Sequence, residues 1–207
     1  MNPPHPLWKL AQTIVRIGTT LVLDLKVYGR DNVPREGGAL MISNHQSFLD
    51  PAVLGAQLHR PMSYLAKSEL WKNRFFGWLI TNLYAFPVQQ GKGDVGAIKE
   101  TIRRLQEGHL LNIYPEGSRT EDGELLPIQP GAALVIRKAG VPVIPAIVDG
   151  SFQAWPKGKK IPRGHQVRVL IGKPVRLDHL KSKEIVEYID RTFREMLAEL
   201  RSRSTQR

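Results

Sequence analysis

The sequence predicts an α/β domain in which a mostly parallel or mixed β-sheet is flanked by helices. Short apolar runs alternate with segments of helical periodicity along most of the 207 residues, and this alternation is typical of sheets whose faces are covered by helices. A chain of this length is long enough for one real core. Without an internal repeat or an interdomain linker, we divide it only into an N-terminal helix, residues 1–20, and a main domain, residues 21–207.

The N-terminal segment has the apolar spacing of an amphipathic helix over residues 7–20. Its stripe includes Leu10, Ile14, Ile17 and Leu21, which recur at intervals of three and four. Such a stripe either packs on the core of its own domain or lies at a membrane interface. Trp8 and the neighbouring cations favour the second alternative.

The remaining elements follow from apolar runs and from turn residues between them. Strands are predicted at 21–28, 39–43, 62–66, 85–88, 110–114, 141–148 and 166–171, and helices at 51–58, 95–107, 131–139 and 181–200. Residues 70–80 form a helical segment with four aromatic residues and two cations. This segment is either core or a surface for membrane or acyl chains.

The composition restricts the classes of function. The chain has no cysteine, so thiol nucleophiles and zinc–thiolate sites are excluded, and its six histidines lack metal-ligand spacing. We therefore predict no structural metal, and we also expect no cofactor. A formal net charge of +11 indicates anionic partners. Because no nucleic-acid-binding signature is present, we expect an anionic membrane surface or a phosphorylated ligand and no nucleic acid.

The stretch around His45 carries the first chemical signal. His45 stands between the buried strand at 39–43 and the Asp50-Pro51 pair, which is a favoured helix start with Asp50 as N-cap. A histidine at the end of a strand can act as a general base, and a carboxylate improves it by fixing the tautomer. Asp50 reaches His45 only if the intervening residues turn. Otherwise His45 is a loop histidine and Asp50 is only a cap.

A second polar motif follows the predicted strand at 110–114. Gly117 allows close approach of the backbone to a ligand, and Ser118 and Arg119 offer donors. Glu116 is placed to orient either the arginine or a substrate hydroxyl. The alternative is a surface turn with an ion pair. Both motifs follow apolar strands, so we expect them at the same edge of the sheet.

Together these residues resemble the 1-acyl-sn-glycerol-3-phosphate acyltransferase family, the lysophosphatidate acyltransferases. Its first signature, Asn-His, four residues and Asp, is matched at Asn44, His45 and Asp50. Its Pro-Glu-Gly-Thr/Ser-Arg signature is matched from Pro115 to Arg119, and a Val-Pro-Ile-Val-Pro-like strand is approximated at residues 141–145. The ordered blocks span roughly residues 25 to 175, so the resemblance covers most of the chain.

The resemblance implies a glycerolipid acyltransferase-like fold over residues 21–207 and a specific O-acyl transfer. An acyl thioester, either acyl-CoA or acyl-carrier protein, is the donor and co-substrate. The free hydroxyl of 1-acyl-sn-glycerol-3-phosphate is the acceptor, and phosphatidate is the product. His45 and Asp50 are the implied catalytic pair. Glu116, Gly117, Ser118 and Arg119 are the implied substrate-binding residues. A lysophospholipid acceptor places the enzyme on the cytoplasmic face of the cell membrane, as a peripheral or monotopic protein.

Two departures from the family pattern affect the substrate. Gln90 stands where an arginine is expected to hold the glycerol phosphate, with Lys92 as a possible substitute, and Gln129 precedes Pro130-Gly131 where a lysine is common. A charge-assisted hydrogen bond is roughly twice as strong as a neutral one. The alternatives are therefore an acyltransferase for a lysolipid with another head group, or a catalytically idle protein that binds lipid or thioester. Since neither Ser47 nor Ser118 lies in a Gly-x-Ser-x-Gly elbow, we predict direct transfer without a covalent acyl-enzyme.

Overall fold

A computed structural model describes residues 6–88, 95–156, 158–159 and 161–203. These residues form one seven-stranded sheet with helices on both faces, which confirms the predicted fold class. Its helices are α1 Pro6–Leu23, α2 Asp50–Gly55, α3 Arg74–Asn82, α4 Val95–Gln106, α5 Pro130–Ala139, α6 Ser151–Ala154 and α7 Ser182–Ser202. Its strands are β1 Lys26–Tyr28, β2 Ala39–Ser43, β3 Met62–Lys67, β4 Ala85–Val88, β5 Leu110–Ile113, β6 Val143–Asp149 and β7 Arg168–Ile171.

The sheet is parallel across its centre and reverses near one end. Its strand order is β1-β7-β6-β2-β5-β3-β4, and the β6–β7 pair is the antiparallel one. The central strand β2 pairs in parallel with β5 on one side and with β6 on the other. The carboxyl ends of these three strands therefore meet at one edge, where binding sites of α/β sheets lie.

Burial of both faces explains the apolar sequence of β2, in which every residue is buried. Leu40 and Ile42 pack on the side covered by α4, α5 and α7. Met41 points to the other side, with Val53 and Leu54 of α2. Because a parallel strand is covered on both sides, it reads as a continuous hydrophobic run instead of an alternating one. The prediction of this strand was correct to the residue.

The structure differs from the sequence prediction at residues 21–28, at Asp50 and at residues 151–154. Residues 21–23 continue α1, and β1 begins only at Lys26, so the predicted strand at 21–28 is wrong in its first half. Its apolar residues satisfy either a helix or a strand over so short a run. Asp50 is the first residue of α2 and does not cap it, since Leu49 holds the N-cap position. The sequence reasoning missed α6, a four-residue helix.

Helix α1 packs through the side that carries Gln12 and Arg16. Gln12 Nε2 donates to the carbonyl of Leu58 at 2.6 Å, and Arg16 Nε donates to that of Ala56 at 3.2 Å. The apolar stripe of the sequence lies on the opposite side of the helix and is 55–79% exposed at Leu10, Ile14, Ile17 and Leu21. Of the two alternatives for this stripe, packing on the core is therefore wrong. No helix among the described residues combines the length and the apolar character needed to cross a membrane.

The segment at residues 70–80 is also largely exposed. It forms a 3₁₀ helix, Ser68–Lys72, followed by α3. Asn73 caps α3 by accepting a hydrogen bond from the amide of Phe76 at 3.0 Å. The large apolar side chains that remain exposed are Leu70, Phe75, Phe76 and Trp78. This part of the chain is therefore an apolar surface more than a core helix.

Candidate active site

The two polar motifs meet where β2 and β5 end. These strands are parallel neighbours, with Ile42 opposite Ile113, so the loops that follow them leave the sheet side by side. The loops are joined directly, because the amide of Thr120 donates to the carbonyl of His45 at 2.9 Å. The expectation that both motifs open at one edge of the sheet is confirmed.

His45 and Asp50 form the central pair. His45 Nδ1 lies 2.8 Å from Asp50 Oδ2, so the residues between them turn as the chemistry requires. The same Oδ2 accepts the amides of Gln46 at 2.7 Å and Ser47 at 2.8 Å. Asp50 thus organises the loop before α2 and does not cap the helix after it. A carboxylate bound to Nδ1 leaves Nε2 as the nitrogen that can accept a proton.

The two residues of this pair differ in burial, as a general base and its supporting carboxylate require. The Asp50 side chain is 0% exposed, whereas that of His45 is 19% exposed. Asp50 therefore exerts its charge from a fully buried position, where electrostatic effects are strong. The imidazole keeps an opening toward solvent through which a hydroxyl can approach.

A third residue completes the environment of the carboxylate. Ser151 Oγ donates to Asp50 Oδ1 at 2.6 Å, and the serine is fully buried at the start of α6. It lies 101 residues from Asp50 in the sequence. Sequence reasoning missed Ser151. The available signal was a serine just after the carboxyl end of β6, the strand next to β2.

Asn44 makes structural hydrogen bonds next to the His45–Asp50 pair. Its side chain donates to the carbonyl of Val148 and accepts from the amide of Val148, both at 2.8 Å. The asparagine therefore ties the end of β2 to the end of β6 as an additional backbone pair would. This bridge fixes the point from which the loop of His45 departs.

Tyr114 provides a platform for the imidazole. Its ring is stacked on that of His45, and the hydroxyl is buried without a hydrogen-bond partner. Burial raises the pKa of Tyr114 well above its usual value, and the negative charge of Asp50 acts in the same direction. The phenol is therefore neutral. Sequence reasoning did not include this residue in the site.

Glu116 holds the two loops together. Its carboxylate accepts the amide of His45 at 3.0 Å and that of Leu126 at 3.3 Å, and the residue is 4% exposed. Burial raises its pKa to about 7, although these two hydrogen bonds act against the shift. Both oxygens of Glu116 bind backbone amides, and its orientation of Arg119 or of a substrate hydroxyl stays a prediction. Its wider assignment to substrate binding stays a prediction.

Arg119 presents a cationic group at the mouth of the site. Its guanidinium carbon lies 3.5 Å from the centre of the Phe48 ring, and Phe48 belongs to the loop of His45. The Nη1 atom is buried and has no hydrogen-bond partner. Partial burial lowers the pKa of Arg119 from its usual value, and Asp50 acts in the opposite direction. An arginine with an unused buried donor is suited to an anion.

The remaining predicted residues differ in their exposure and contacts. Gly117 has a φ of +77°, a left-handed conformation that favours glycine. Both Gly117 and Ser118 are exposed. The Ser47 hydroxyl is buried and donates to the carbonyl of Trp155 at 2.7 Å, which leaves it unsuited to nucleophilic attack. Gln90 and Lys92 lie outside the described residues, and their assignment stays a prediction.

The arrangement supplies one partly exposed base, one buried carboxylate and one arginine whose Nη1 has no partner, on adjacent loops. A hydroxyl next to a negatively charged group is the substrate that these three side chains suit chemically. Proton removal by His45 and anion binding by Arg119 would then act on the same molecule.

Comparison with known proteins agrees with this site. A family model described as Acyltransferase matches residues 24–149. A 1-acyl-sn-glycerol-3-phosphate acyltransferase of Bacillus subtilis is 27% identical over 204 residues, which cover 97% of this chain and all of that protein. A chloroplastic protein of the same name from Brassica napus is 30% identical over 153 residues, covering 72% of this chain and 44% of the longer plant protein.

A solved structure shares the fold. It is the crystal structure of the 1-acyl-sn-glycerophosphate acyltransferase PlsC from Thermotoga maritima, with a TM-score of 0.80 and 26% sequence identity. The match covers 93% of this chain and 79% of that one. The resemblance stated from the two motifs is thereby confirmed, and the chain belongs to the Acyltransferase family.

Proposed function

We propose that the protein transfers a fatty acyl group from an acyl thioester to the free hydroxyl of 1-acyl-sn-glycerol-3-phosphate, giving phosphatidate. The observation that carries the proposal is the 2.8 Å contact between His45 Nδ1 and Asp50 Oδ2, one loop away from the unpaired Nη1 of Arg119. A candidate base for the hydroxyl and a candidate donor for the phosphate on neighbouring loops support the proposal. The names of the similar proteins point to the same acceptor.

The reaction follows from the roles of these atoms. His45 Nε2 removes the proton of the acceptor hydroxyl while the oxygen attacks the thioester carbonyl. The carbon–sulfur bond then breaks, the thiolate leaves, and the proton passes from the imidazolium to the sulfur. Asp50 stabilises the imidazolium between these two transfers. A positioned general base contributes about 10²–10⁴ in rate, and alignment of the two substrates contributes further.

The proposed acceptor is a lysophospholipid, which resides in a membrane. Helix α1 is suited to contact that membrane. Its exposed stripe of Leu10, Ile14, Ile17 and Leu21 would leave water on docking, at about 25 cal/mol for each Å² of apolar surface buried. Basic residues near an anionic surface add about 1 kcal/mol each, and the chain has a net charge of +11. We place the enzyme on the cytoplasmic face of the cell membrane, attached through this helix.

The test is an acyl-transfer assay with the purified full chain. We expect thiol release from acyl-CoA or acyl-carrier protein that depends on added lysophosphatidate, with phosphatidate as the lipid product. His45→Ala should abolish the release. His179→Ala, at an exposed histidine outside this site, is the matched control and should retain it. Release that does not depend on an acceptor, or that survives His45→Ala, contradicts the proposal.

A second acceptor class is favoured by one sequence feature. Gln90 replaces a cation expected to bind the glycerol phosphate. If a different head group is the true acceptor, a panel of lysolipids will show a higher kcat/KM for that lipid than for lysophosphatidate. In that case Gln90→Arg should shift the preference back toward lysophosphatidate.

Separate reactions with acyl-CoA and acyl-carrier protein identify the donor in the same assay.

A further inference from the structure

Ser151 connects the Asp50 carboxylate to the end of β6. This end lies outside the signature blocks at residues 44–50, 115–119 and 141–145. Its hydroxyl lies 2.6 Å from Asp50 Oδ1, and both residues have no exposed surface. We propose that Ser151 is a positioning residue, which acts through Asp50 by holding the carboxylate in the orientation that supports His45. This inference rests on the proposed function, because it assigns a role in the same reaction.

The hydroxyl of Ser151 has one proton and two nearby acceptors. Asp50 Oδ1 is at 2.6 Å, and Gln46 Oε1 is at 3.3 Å. The amide of Gln46 is fixed in this orientation because its Nε2 donates to the carbonyl of Gly123 at 2.7 Å. Since the carboxylate is both closer and charged, it takes the proton. The serine is therefore a donor to Asp50.

This bond restrains the carboxylate at Oδ1, the oxygen that His45 does not contact. Oδ2 already receives the imidazole and the amides of Gln46 and Ser47. Those three donors hold one oxygen, and Ser151 holds the other against rotation. A fully buried carboxylate that loses a donor is left with unmet hydrogen-bonding capacity. It then supports the imidazolium less well at the moment when His45 takes the proton.

The backbone before Ser151 is built to deliver it. Gly150 has a φ of +92°, and a Cβ at this position would come within 2.2 Å of the carbonyl oxygen of Gln166. Only glycine fits there, and this turn places Ser151 at the start of α6. The end of α6 is fixed as well, because the carbonyl of Trp155 accepts the hydroxyl of Ser47. Both ends of the short helix are thus attached to the loop of His45.

The kinetic test compares Ser151→Ala with a matched control. We expect kcat to fall about tenfold or more, because a hydrogen bond to a charged group is lost, while KM for both substrates changes by less than about twofold. Ser43→Ala removes another fully buried serine hydroxyl, bound to the neutral side chain of Asn112 at 3.3 Å, and should leave kcat unchanged. Ser151→Thr, which restores the donor, should recover most of the lost kcat.

A double-mutant cycle separates action through Asp50 from a general structural effect. In the Asp50→Asn background, Ser151→Ala should lower kcat by less than about twofold, since the residue through which it acts is already changed. The same large loss in both backgrounds would overturn the proposal. So would a Ser151→Ala enzyme with the kcat of the wild type. Circular dichroism confirms that each variant is folded before the rates are compared.

A measurement without substrate keeps this inference separate from the proposed function. The proton on His45 Nδ1 should give a downfield ¹H NMR signal that is absent from His45→Ala. We expect Ser151→Ala to broaden or remove this signal and Ser43→Ala to retain it. If the wild type transfers no acyl group but the signal behaves in this way, the proposed function fails and the positioning role stands. A signal unchanged in Ser151→Ala ends the positioning role, whatever the activity.

Discussion

The imidazole of His45 lies flat against the phenol ring of Tyr114, with 3.7 Å between the ring centroids and 12° between their planes. Asp50 fixes the imidazole at one ring nitrogen, and Tyr114 fixes the plane of the ring. Tyr114 directly precedes the Pro115–Arg119 signature, so β5 leads into both the platform and the loop that carries Arg119. Its hydroxyl has no hydrogen-bond partner, which indicates that the ring surface is the important part of the side chain.

Two substitutions at Tyr114 should separate these parts. Tyr114→Phe removes a buried unpaired hydroxyl, so we expect unchanged kcat and a free energy of unfolding that is equal or higher by up to about 1 kcal/mol. Tyr114→Ala removes the platform and leaves a cavity, so unfolding should become easier by about 3–5 kcal/mol and kcat should fall. Urea denaturation and the acyl-transfer assay measure both. Loss of activity in Tyr114→Phe would show that the hydroxyl takes part in the chemistry.

Asp50→Asn should show how much of the rate depends on the carboxylate that orients and supports His45, since the imidazole itself remains. The amide cannot stabilise the imidazolium as a carboxylate does, so we expect kcat to fall by about 10²–10⁴ with little change in KM. Asp190→Asn provides the control, because Asp190 pairs with Arg194 on the surface, where an ion pair contributes little. Steady-state kinetics on both variants, at saturating donor, is the measurement. Comparable kcat values for Asp50→Asn and the wild type would remove Asp50 from the mechanism.

The buried Glu116 should make stability depend on pH. Burial raises its pKa to about 7 from 4.5, so the folded protein binds this proton more tightly than the unfolded chain does. The stability from protonated Glu116 is therefore fully present below about pH 4.5 and is lost as the pH rises to about 7, by up to about 3 kcal/mol.

Urea unfolding of the wild type and Glu116→Gln across this pH range checks the prediction. As the pH rises, the free energy of unfolding of the wild type should fall relative to that of Glu116→Gln. Glu124→Gln, at an exposed glutamate, should keep the pH dependence of the wild type. Parallel curves for the wild type and Glu116→Gln would show that Glu116 has an ordinary pKa. Glutamine also has a single acceptor oxygen for the amides of His45 and Leu126, so kcat should fall in this variant at every pH.

Arg119→Lys should weaken binding of the acceptor more than it slows the chemical step. Lysine keeps the charge but loses the planar fork that binds two phosphate oxygens. We expect KM for lysophosphatidate to rise about tenfold, as a loss of one charge-assisted hydrogen bond predicts, with kcat nearly unchanged. Arg176→Lys changes an exposed arginine that pairs with Asp178 and should alter neither constant. An equal KM for Arg119→Lys and the wild type would show that the phosphate binds elsewhere.

The exposed stripe of α1 should control attachment to membranes. Ile14→Glu combined with Ile17→Glu places two charges in the centre of the stripe, so partition onto anionic vesicles should fall at least tenfold. Thr13→Glu combined with Thr20→Glu adds the same charge beside the stripe, on exposed positions, and should reduce partition much less. Vesicle sedimentation at fixed ionic strength compares the pairs. Equal partition of the Ile14/Ile17 variant and the wild type would exclude this face.

Local sequence determined the strand at Ala39–Ser43 and the α/β alternation, and it left the turn that brings Asp50 to His45 as one of two alternatives. Each depends on residues a few positions apart, and the hydrophobic period and the turn residues express those preferences directly. Even the shared edge for the two motifs followed, because both come after parallel strands. The resemblance to a known family then supplied the roles of the residues.

Tertiary structure alone decided which groups complete the site and which surfaces stay open. Ser151 reaches Asp50, and Glu116 reaches the amide of His45, across 101 and 71 residues. No local pattern encodes such pairs, since they exist only after β2, β5 and β6 lie side by side. The same reason applies to α1. Its periodicity shows that the helix has two faces, but only the hydrogen bonds of Gln12 and Arg16 to the chain after α2 show that the apolar face is the one left uncovered.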